Sequence, residues 1–337
     1  MNAPDFWWTQ NGTWQSRLLS PLGALYGCLA ARRFRYVPRY KARKPVICIG
    51  NFTAGGTGKT PFALALNTLL QEAGHKPGFL LRGYGGTHKG PLLVEPAKHA
   101  AMEVGDEALL LARRGPTVIS ADRTTGAKLL EQQDISVIIM DDGFQNPSLH
   151  KDFSIVLIDA KTGVGNARCI PAGPLRMPFK KQLPRVGLLM VVGEGEGSAK
   201  QQEQAQQAGI DLMHAVIRPV SADALEGERV LAFAGIGRPE KLFASLKEAG
   251  ATVVKTMAFP DHHYFTKEDA RLILRVAEEQ DLLPITTTKD YVRLKGREEQ
   301  SITRLANLTS VLEVEMKIAD PDALLERLTQ VLETENA

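Results

Sequence analysis

The stretch NFTAGGTGKTPF, residues 51–62, places three glycines just ahead of Lys59 and Thr60. Glycines let a backbone curl so that successive N–H groups point inward; the lysine can then pair with the β and γ phosphates of a nucleotide, and the threonine hydroxyl can bind Mg²⁺. Thr53, Ala54, Gly55, Gly56, Thr57, Gly58, Lys59 and Thr60 are therefore the candidate nucleotide-binding loop. The strict pattern has glycine where Thr53 stands, a change that costs little if that residue need not take a positive φ. IIMDDGFQ supplies Asp141 and Asp142, carboxylates able to hold Mg²⁺ together with Thr60. PDHHYF sets His262 beside Asp261, where a carboxylate can orient an imidazole for proton transfer. Neighbouring side chains on an extended chain diverge, so His262 and His263 are not expected at one centre. Arg82, Arg123 and Arg176 lie in glycine-rich or proline-rich loops, and the planar guanidinium suits an anionic substrate or nucleotide. Asp106 and Glu107 open an apolar helical run, where acids commonly do no more than complement the helix dipole.

These groups need a scaffold that brings them together. VICIG (46–50), GFLLR (78–82), TVIS (117–120), VIIMD (137–141), FSIVLID (153–159) and VGLLMVV (186–192) read as buried strands. Helices are expected near 60–73, 105–113, 123–132 and 199–208. Continuous apolar strands alternating with helices indicate a mostly parallel, doubly wound α/β sheet. The glycine-rich loop then falls between a strand and a helix, the setting a phosphate loop (P-loop) requires. The aspartate pair falls at a strand end, on the edge where such sheets bind ligands. After a polar stretch at 218–228, VLAFAG, TVVKTM and PITTT alternate with helices near 239, 267–280 and 321–333, predicting a second, smaller α/β domain.

At the N-terminal end, Trp14, Leu18, Leu22, Leu25, Tyr26 and Leu29 recur at helical spacing, predicting an amphipathic helix from about Trp14 to Ala31. Seven basic residues between Arg32 and Lys44 follow with no acid among them. Such a pair of features suits a lipid interface with anionic headgroups; packing of the stripe on the helix's own domain is the alternative. The expected organisation is thus 1–44 for the helix and basic segment, 45–217 for nucleotide binding, 218–228 as linker, and 229–337 as the smaller domain closing a cleft. No apolar run is long enough to span a bilayer. The first residues lack the order of a secretory signal, so export is not expected. A net charge of +3 over 337 residues gives no reason to expect nucleic acid. Three scattered cysteines, Cys28, Cys48 and Cys169, offer neither a zinc pattern nor a redox pair.

The blocks VICIGNFTAGGTGKTP, RGYGG, GDEA, SADR, DDGFQ, PAGPLR, FPDHH and TTTKD, in this order from about 46 to 295, resemble tetraacyldisaccharide 4'-kinase, the lipid A 4'-kinase family of Gram-negative bacteria. The resemblance implies two α/β domains with nucleotide and lipid headgroup meeting between them. The implied reaction passes the γ-phosphate of ATP to the 4'-hydroxyl of a tetraacylated glucosamine disaccharide 1-phosphate, giving lipid IVA at the cytoplasmic face of the inner membrane. Lys59 and Mg²⁺ would serve the transfer, Asp106 would face the sugar hydroxyl as base, His262 would assist it, Asp141 and Asp142 would serve the metal, and Arg123 and Arg176 would lie near substrate or the transferring phosphate. The implied partners are the lipid substrate and the membrane surface, with no protein partner. One position departs from the family pattern: an acid is expected after PAGPLR, and Met177 stands there. Ala54 separates the loop from that of partitioning-type switch ATPases, which carry a lysine at that position.

Overall fold

The structure, a computed structural model, describes residues 3–9, 12–220 and 225–333. In chain order, α1 (Trp14–Leu18) and α2 (Ser20–Phe34) precede β1 (Val46–Asn51), α3 (Lys59–Glu72), β2 (Pro77–Leu81), β3 (Leu92–Leu93), α4 (Ala101–Val104), α5 (Asp106–Ala112), β4 (Thr117–Ile119), α6 (Arg123–Leu130), β5 (Val137–Asp141), β6 (Phe153–Asp159), α7 (Phe179–Gln182), β7 (Leu188–Val192), α8 (Ala199–Gln207) and β8 (Asp211–Pro219). A second series holds β9 (Arg229–Ala234), α9 (Pro239–Glu248), β10 (Thr252–Ala258), α10 (Lys267–Gln280), β11 (Leu283–Thr287), α11 (Thr288–Leu294), α12 (Gln300–Leu308), β12 (Ser310–Leu312), β13 (Val314–Ile318) and α13 (Pro321–Glu333).

The larger sheet has the order β13-β8-β7-β6-β1-β5-β2-β4-β3 and the smaller β10-β9-β11-β12. Within the larger sheet, the pairings from β8 to β4 are parallel, and β13 and β3 join antiparallel at the edges. Successive residues of β1 point to opposite faces. Ile47 and Ile49 enter one core with Phe62, Leu66 and Leu70 of α3, whereas Val46 and Cys48 enter the other with Ala127 and Leu130 of α6. Burial on both faces is why these strands read as unbroken apolar runs.

Two expectations are corrected. The single helix from Trp14 to Ala31 breaks at Leu19 into α1 and α2, and α2 runs on to Phe34. Pro21, which has no N–H to donate, sits in the first turn of α2, where that loss is harmless. Docking of α2 uses its glycines: a Cβ on Gly23 would lie 2.6 Å from the Cys169 carbonyl oxygen, and one on Gly27 would lie 2.7 Å from Cys169 Sγ. The apolar stripe therefore faces outward, with Trp14, Leu18, Leu22, Leu25 and Leu29 between 57% and 71% exposed.

The second correction concerns the boundary at 218–228 and the unit 229–337. β8 runs through Pro219, and residues 221–224 of the expected linker lie outside the described residues. β13 leaves the smaller unit and pairs with β8, Glu315 opposite Arg218 and Met316 opposite Ile217. Leu324, Leu328 and Leu332 of α13 join the α3 core. Pairing satisfies the open edge of β8, and burial covers the apolar stripe of α13. The smaller unit is thus an insertion between two neighbouring strands of the larger sheet.

Candidate active site

The glycine-rich segment follows β1 directly. The Asn51 side-chain amide donates to the Gly55 carbonyl at 3.1 Å, and Ala54 N–H donates to the Pro174 carbonyl at 2.8 Å. Thr53 keeps an ordinary backbone conformation; the positive φ values fall on Gly55 (+123°) and Gly58 (+88°), so glycine is needed at those positions and not at Thr53. Gly58 caps α3, which places Lys59 and Thr60 in its first turn with the helix N-terminus directed at the loop.

Asp142 follows β5 with φ +50°, in the left-handed region that non-glycine residues seldom adopt. Arg176 grips it with both guanidinium nitrogens, 3.0 Å to each carboxylate oxygen, and Lys59 Nζ lies 3.7 Å away. Burial alone would raise this carboxyl, but Lys59 and Arg176 outweigh it and hold Asp142 well below the usual range. Asp141 is the opposite case. It is 1% exposed and its Oδ1 has no hydrogen-bond partner. Burial, reinforced by Glu107, pushes it up to about 7. Arg123 is 3% exposed, donates to the Ser120 carbonyl, and is lowered by burial to about 10, with Asp142 acting the other way. Arg82 is exposed, on the loop whose Tyr84 ring packs edge-on against His262 at 5.0 Å.

The third group spans the two sheets. Asp106 opens α5 of the larger unit and is 2% exposed. Its Oδ2 accepts from Arg293 of α11 and lies 3.6 Å from His262 Nδ1. Burial would raise Asp106, but His262 and Arg293 lower it far more. His262, also left-handed at φ +57°, is fixed by its own N–H donating to the Gly235 carbonyl at 2.9 Å. The hydrogen bond with Asp106 raises His262 above the ordinary imidazole value against burial. Arg293 in turn donates to Asp290 at 2.7 Å and to the Gly235 carbonyl at 2.8 Å. His263 points elsewhere, to Asp269 at 2.8 Å and against the Phe259 ring, so the two imidazoles diverge as expected.

Glu107 ties the groups together. Its Oε1 accepts from Thr60 Oγ1 at 3.3 Å and from Lys289 Nζ at 2.5 Å. Direct contacts thus join Lys59 and Arg176 to Asp142, Thr60 and Lys289 to Glu107, and His262 and Arg293 to Asp106, while Asp141 adjoins Asp142 in the chain. Arg123 is buried and contacts the Ser120 carbonyl and none of these residues, and Arg82 is exposed. Thr60, Asp141 and Asp142 present hard oxygens, one of them a buried orphan on Asp141, and this donor set fits Mg²⁺. Among the described residues no three His, Cys, Asp or Glu side chains form a metal cage, so Mg²⁺ would need phosphate oxygens and water to complete its shell, as it commonly does.

Sequence reading assigned no role to Lys289 or Arg293. The signal available was the spacing in TTTKDYVR, where 289, 290 and 293 fall on neighbouring faces of one helix. Met177, where an acid was expected, is 1% exposed in the core on the α6 side of the sheet and sends no side chain into the cleft. A further contact between units also went unread: Arg238 stacks over the Trp8 ring at 4.4 Å and pairs with Asp159 at 3.2 Å, and Lys241 meets the same Asp159 oxygen at 2.7 Å.

The sequence matches the family model described as Tetraacyldisaccharide-1-P 4'-kinase over residues 15–333. A "Tetraacyldisaccharide 4'-kinase" from Methylobacterium nodulans is 49% identical over 329 residues, 97% of this chain and 95% of that relative. One of the same description from Agrobacterium fabrum is 44% identical over 321 residues, 95% and 92% of the two chains. The crystal structure of LpxK from Aquifex aeolicus in complex with ATP aligns with a TM-score of 0.72 and 28% identity, over 94% of this chain and 99% of that one.

Proposed function

This chain belongs to the tetraacyldisaccharide-1-P 4'-kinase family, and from that premise we propose that it transfers the γ-phosphate of ATP to the 4'-hydroxyl of a tetraacylated glucosamine disaccharide 1-phosphate, forming lipid IVA at the cytoplasmic face of the inner membrane. The observation that carries this reading is the double reach of two consecutive residues. Glu107 touches the Thr60 hydroxyl of the phosphate loop, and Asp106 meets His262 and Arg293 of the smaller unit. A nucleotide tail and an alcohol would therefore be held side by side.

Phosphoryl transfer depends mainly on positioning and on neutralising charge. Lys59 and Arg176 are the cations placed for the phosphates, and displacing their grip on Asp142 would free both. Thr60, Asp141 and Asp142 would hold Mg²⁺, which when bound neutralises β- and γ-phosphate oxygens. Asp106 orients the sugar hydroxyl and takes its proton late in a loose transition state, where alignment counts for more than basicity. His262 shares that proton through its contact with Asp106. Arg82, on the loop that packs against His262, is suited to an anionic group of the substrate. Arg123 reinforces the positive field from behind the sheet edge.

Membrane placement is supported by the outward apolar stripe of α1 and α2, followed by the basic block from Arg32 to Lys44. Among the described residues no helix is long and apolar enough to cross a bilayer. An enzyme acting on a lipid headgroup gains by lying in the interface that displays it.

The test is incubation of purified protein with γ-labelled ATP, Mg²⁺ and a panel of acceptors: the tetraacyl disaccharide 1-phosphate in micelles, its deacylated counterpart, and glucosamine. Label is expected on the acylated disaccharide at its 4' position. Label confined to soluble sugars, or release of free phosphate alone, overturns the assignment.

A further inference from the structure

Lys289 has no part in the reaction described above, yet it bridges the two units. It lies in the first turn of α11 in the smaller unit and reaches across to Glu107 Oε1 at 2.5 Å. That oxygen also accepts from Thr60 Oγ1 at 3.3 Å. The adjoining carboxylate of Asp141, buried with an unpartnered Oδ1, is influenced by both Glu107 and Lys289. The ammonium group is therefore held on a carboxylate oxygen that also accepts from a hydroxyl, and such oxygens are the donors a hard divalent cation would seek.

Its neighbour on the helix shows the difference between a fixed and a movable charge. Arg293 is 1% exposed and tied to Asp106, Asp290 and the Gly235 carbonyl. The Lys289 side chain is 28% exposed, and a lysine carries a compact charge on a flexible stem that can swing between partners. Two cations cannot share Glu107 at close range without repulsion, so a metal ion and the Lys289 ammonium compete for the same oxygens.

We propose that Lys289 is a displaceable cation that competes with a divalent metal ion for Glu107 and passes to the phosphates when nucleotide and metal bind together. The acidic cluster is thereby kept from loading a bare divalent ion, and departure of Lys289 from Glu107 couples nucleotide arrival to the position of the smaller unit. The identity of the nucleotide rests on the reading above; competition at Glu107 does not.

The experiment uses the full chain without nucleotide or acceptor and Mn²⁺ as the probe, followed by its electron paramagnetic resonance signal. Wild-type protein is expected to leave Mn²⁺ largely free. Lys289→Met is expected to bind one Mn²⁺ at least tenfold more tightly, and adding Glu107→Gln is expected to abolish that gain. Lys289→Gln serves as a second variant, with thermal melting used to confirm that each is folded. A folded Lys289→Met or Lys289→Gln protein that binds Mn²⁺ no better than wild type overturns the competition. In a parallel measurement with chelator present, ATP affinity should fall about tenfold in Lys289→Met; an unchanged value overturns the transfer to phosphate. Because no lipid acceptor is present, failure here is distinguishable from failure of the kinase assignment.

Discussion

Asp106 and Arg293 meet across the cleft with side chains no more than 2% exposed, one on a helix of the larger sheet and the other on a helix of the smaller. A buried carboxylate kept charged in this way is held at one place and enters the reaction ionised, ready to accept a proton.

Replacing Asp106 by Asn should therefore reduce transfer by roughly 10²- to 10⁴-fold, the usual range for losing a positioned proton acceptor, while ATP affinity stays nearly unchanged. Titration of His262 by NMR provides the companion measurement. Its raised value stems first from the hydrogen bond to Asp106, so the variant's imidazole should titrate lower. The sign for stability follows from a raised basic group: its contribution is complete below the ordinary histidine value of 6.5 and is lost as pH rises through the folded value. A His262 titration curve that does not move in Asp106→Asn would contradict the coupling.

The latch at Asp159 gives a pH dependence of opposite sense. Burial favours its neutral form, but Lys241 and Arg238 outweigh burial and lower it. A lowered acid stabilises above its ordinary value of 3.8, and this contribution disappears as pH falls through the folded value. Asp159→Asn should cost about 2 kcal/mol in urea unfolding at pH 7, below the roughly 3–5 kcal/mol for breaking a fully buried pair because Lys241 is partly exposed. The gap should close in strong acid. Equal loss at every pH would assign the effect to packing instead of charge.

Met177→Glu restores the acid expected from the family pattern but places it in an apolar core. Several kcal/mol of destabilisation is the expected outcome, since a buried carboxylate without a partner must be neutralised or exposed. Unaltered thermal melting would show that this side chain can turn toward water.

Leu22→Ser combined with Leu25→Ser tests the outward stripe. Both leucines are exposed, so the fold should be unaffected. Association with vesicles containing anionic lipid should fall by more than tenfold, because each buried leucine contributes about 2 kcal/mol. Equal sedimentation with vesicles in both proteins removes the interfacial role.

Local pattern carried most of the larger unit. β1, β5 and β6 are continuous apolar runs buried on both faces, and the glycine-rich segment after β1 is contiguous, so each could be read without knowing its neighbours. What escaped depended on distant partners. β13 is an unremarked VEMKI segment until β8 offers it an edge. Arg293 gains its role from Asp106, 187 residues earlier in the chain. The helical period of the N-terminal segment revealed a stripe but not its direction; Gly23 and Gly27, the contact residues of α2, held that information in their small size.

The manner in which the smaller unit is tethered would limit any movement of it. The chain leaves through β8 and comes back through β13, and the two crossings are bonded to each other where Val220 N–H donates to the Glu313 carbonyl at 3.0 Å. A double strap resists twisting more than it resists bending, so opening should follow one path and closing should retrace it. Such a path would return His262, Lys289 and Arg293 to the same addresses. Ribosomal synthesis adds a second consequence: the β8 edge stays bare until β13 (Val314–Ile318) has emerged, so a chain cut before β13 would keep its glycine-rich loop but lack the seam that aligns the two halves.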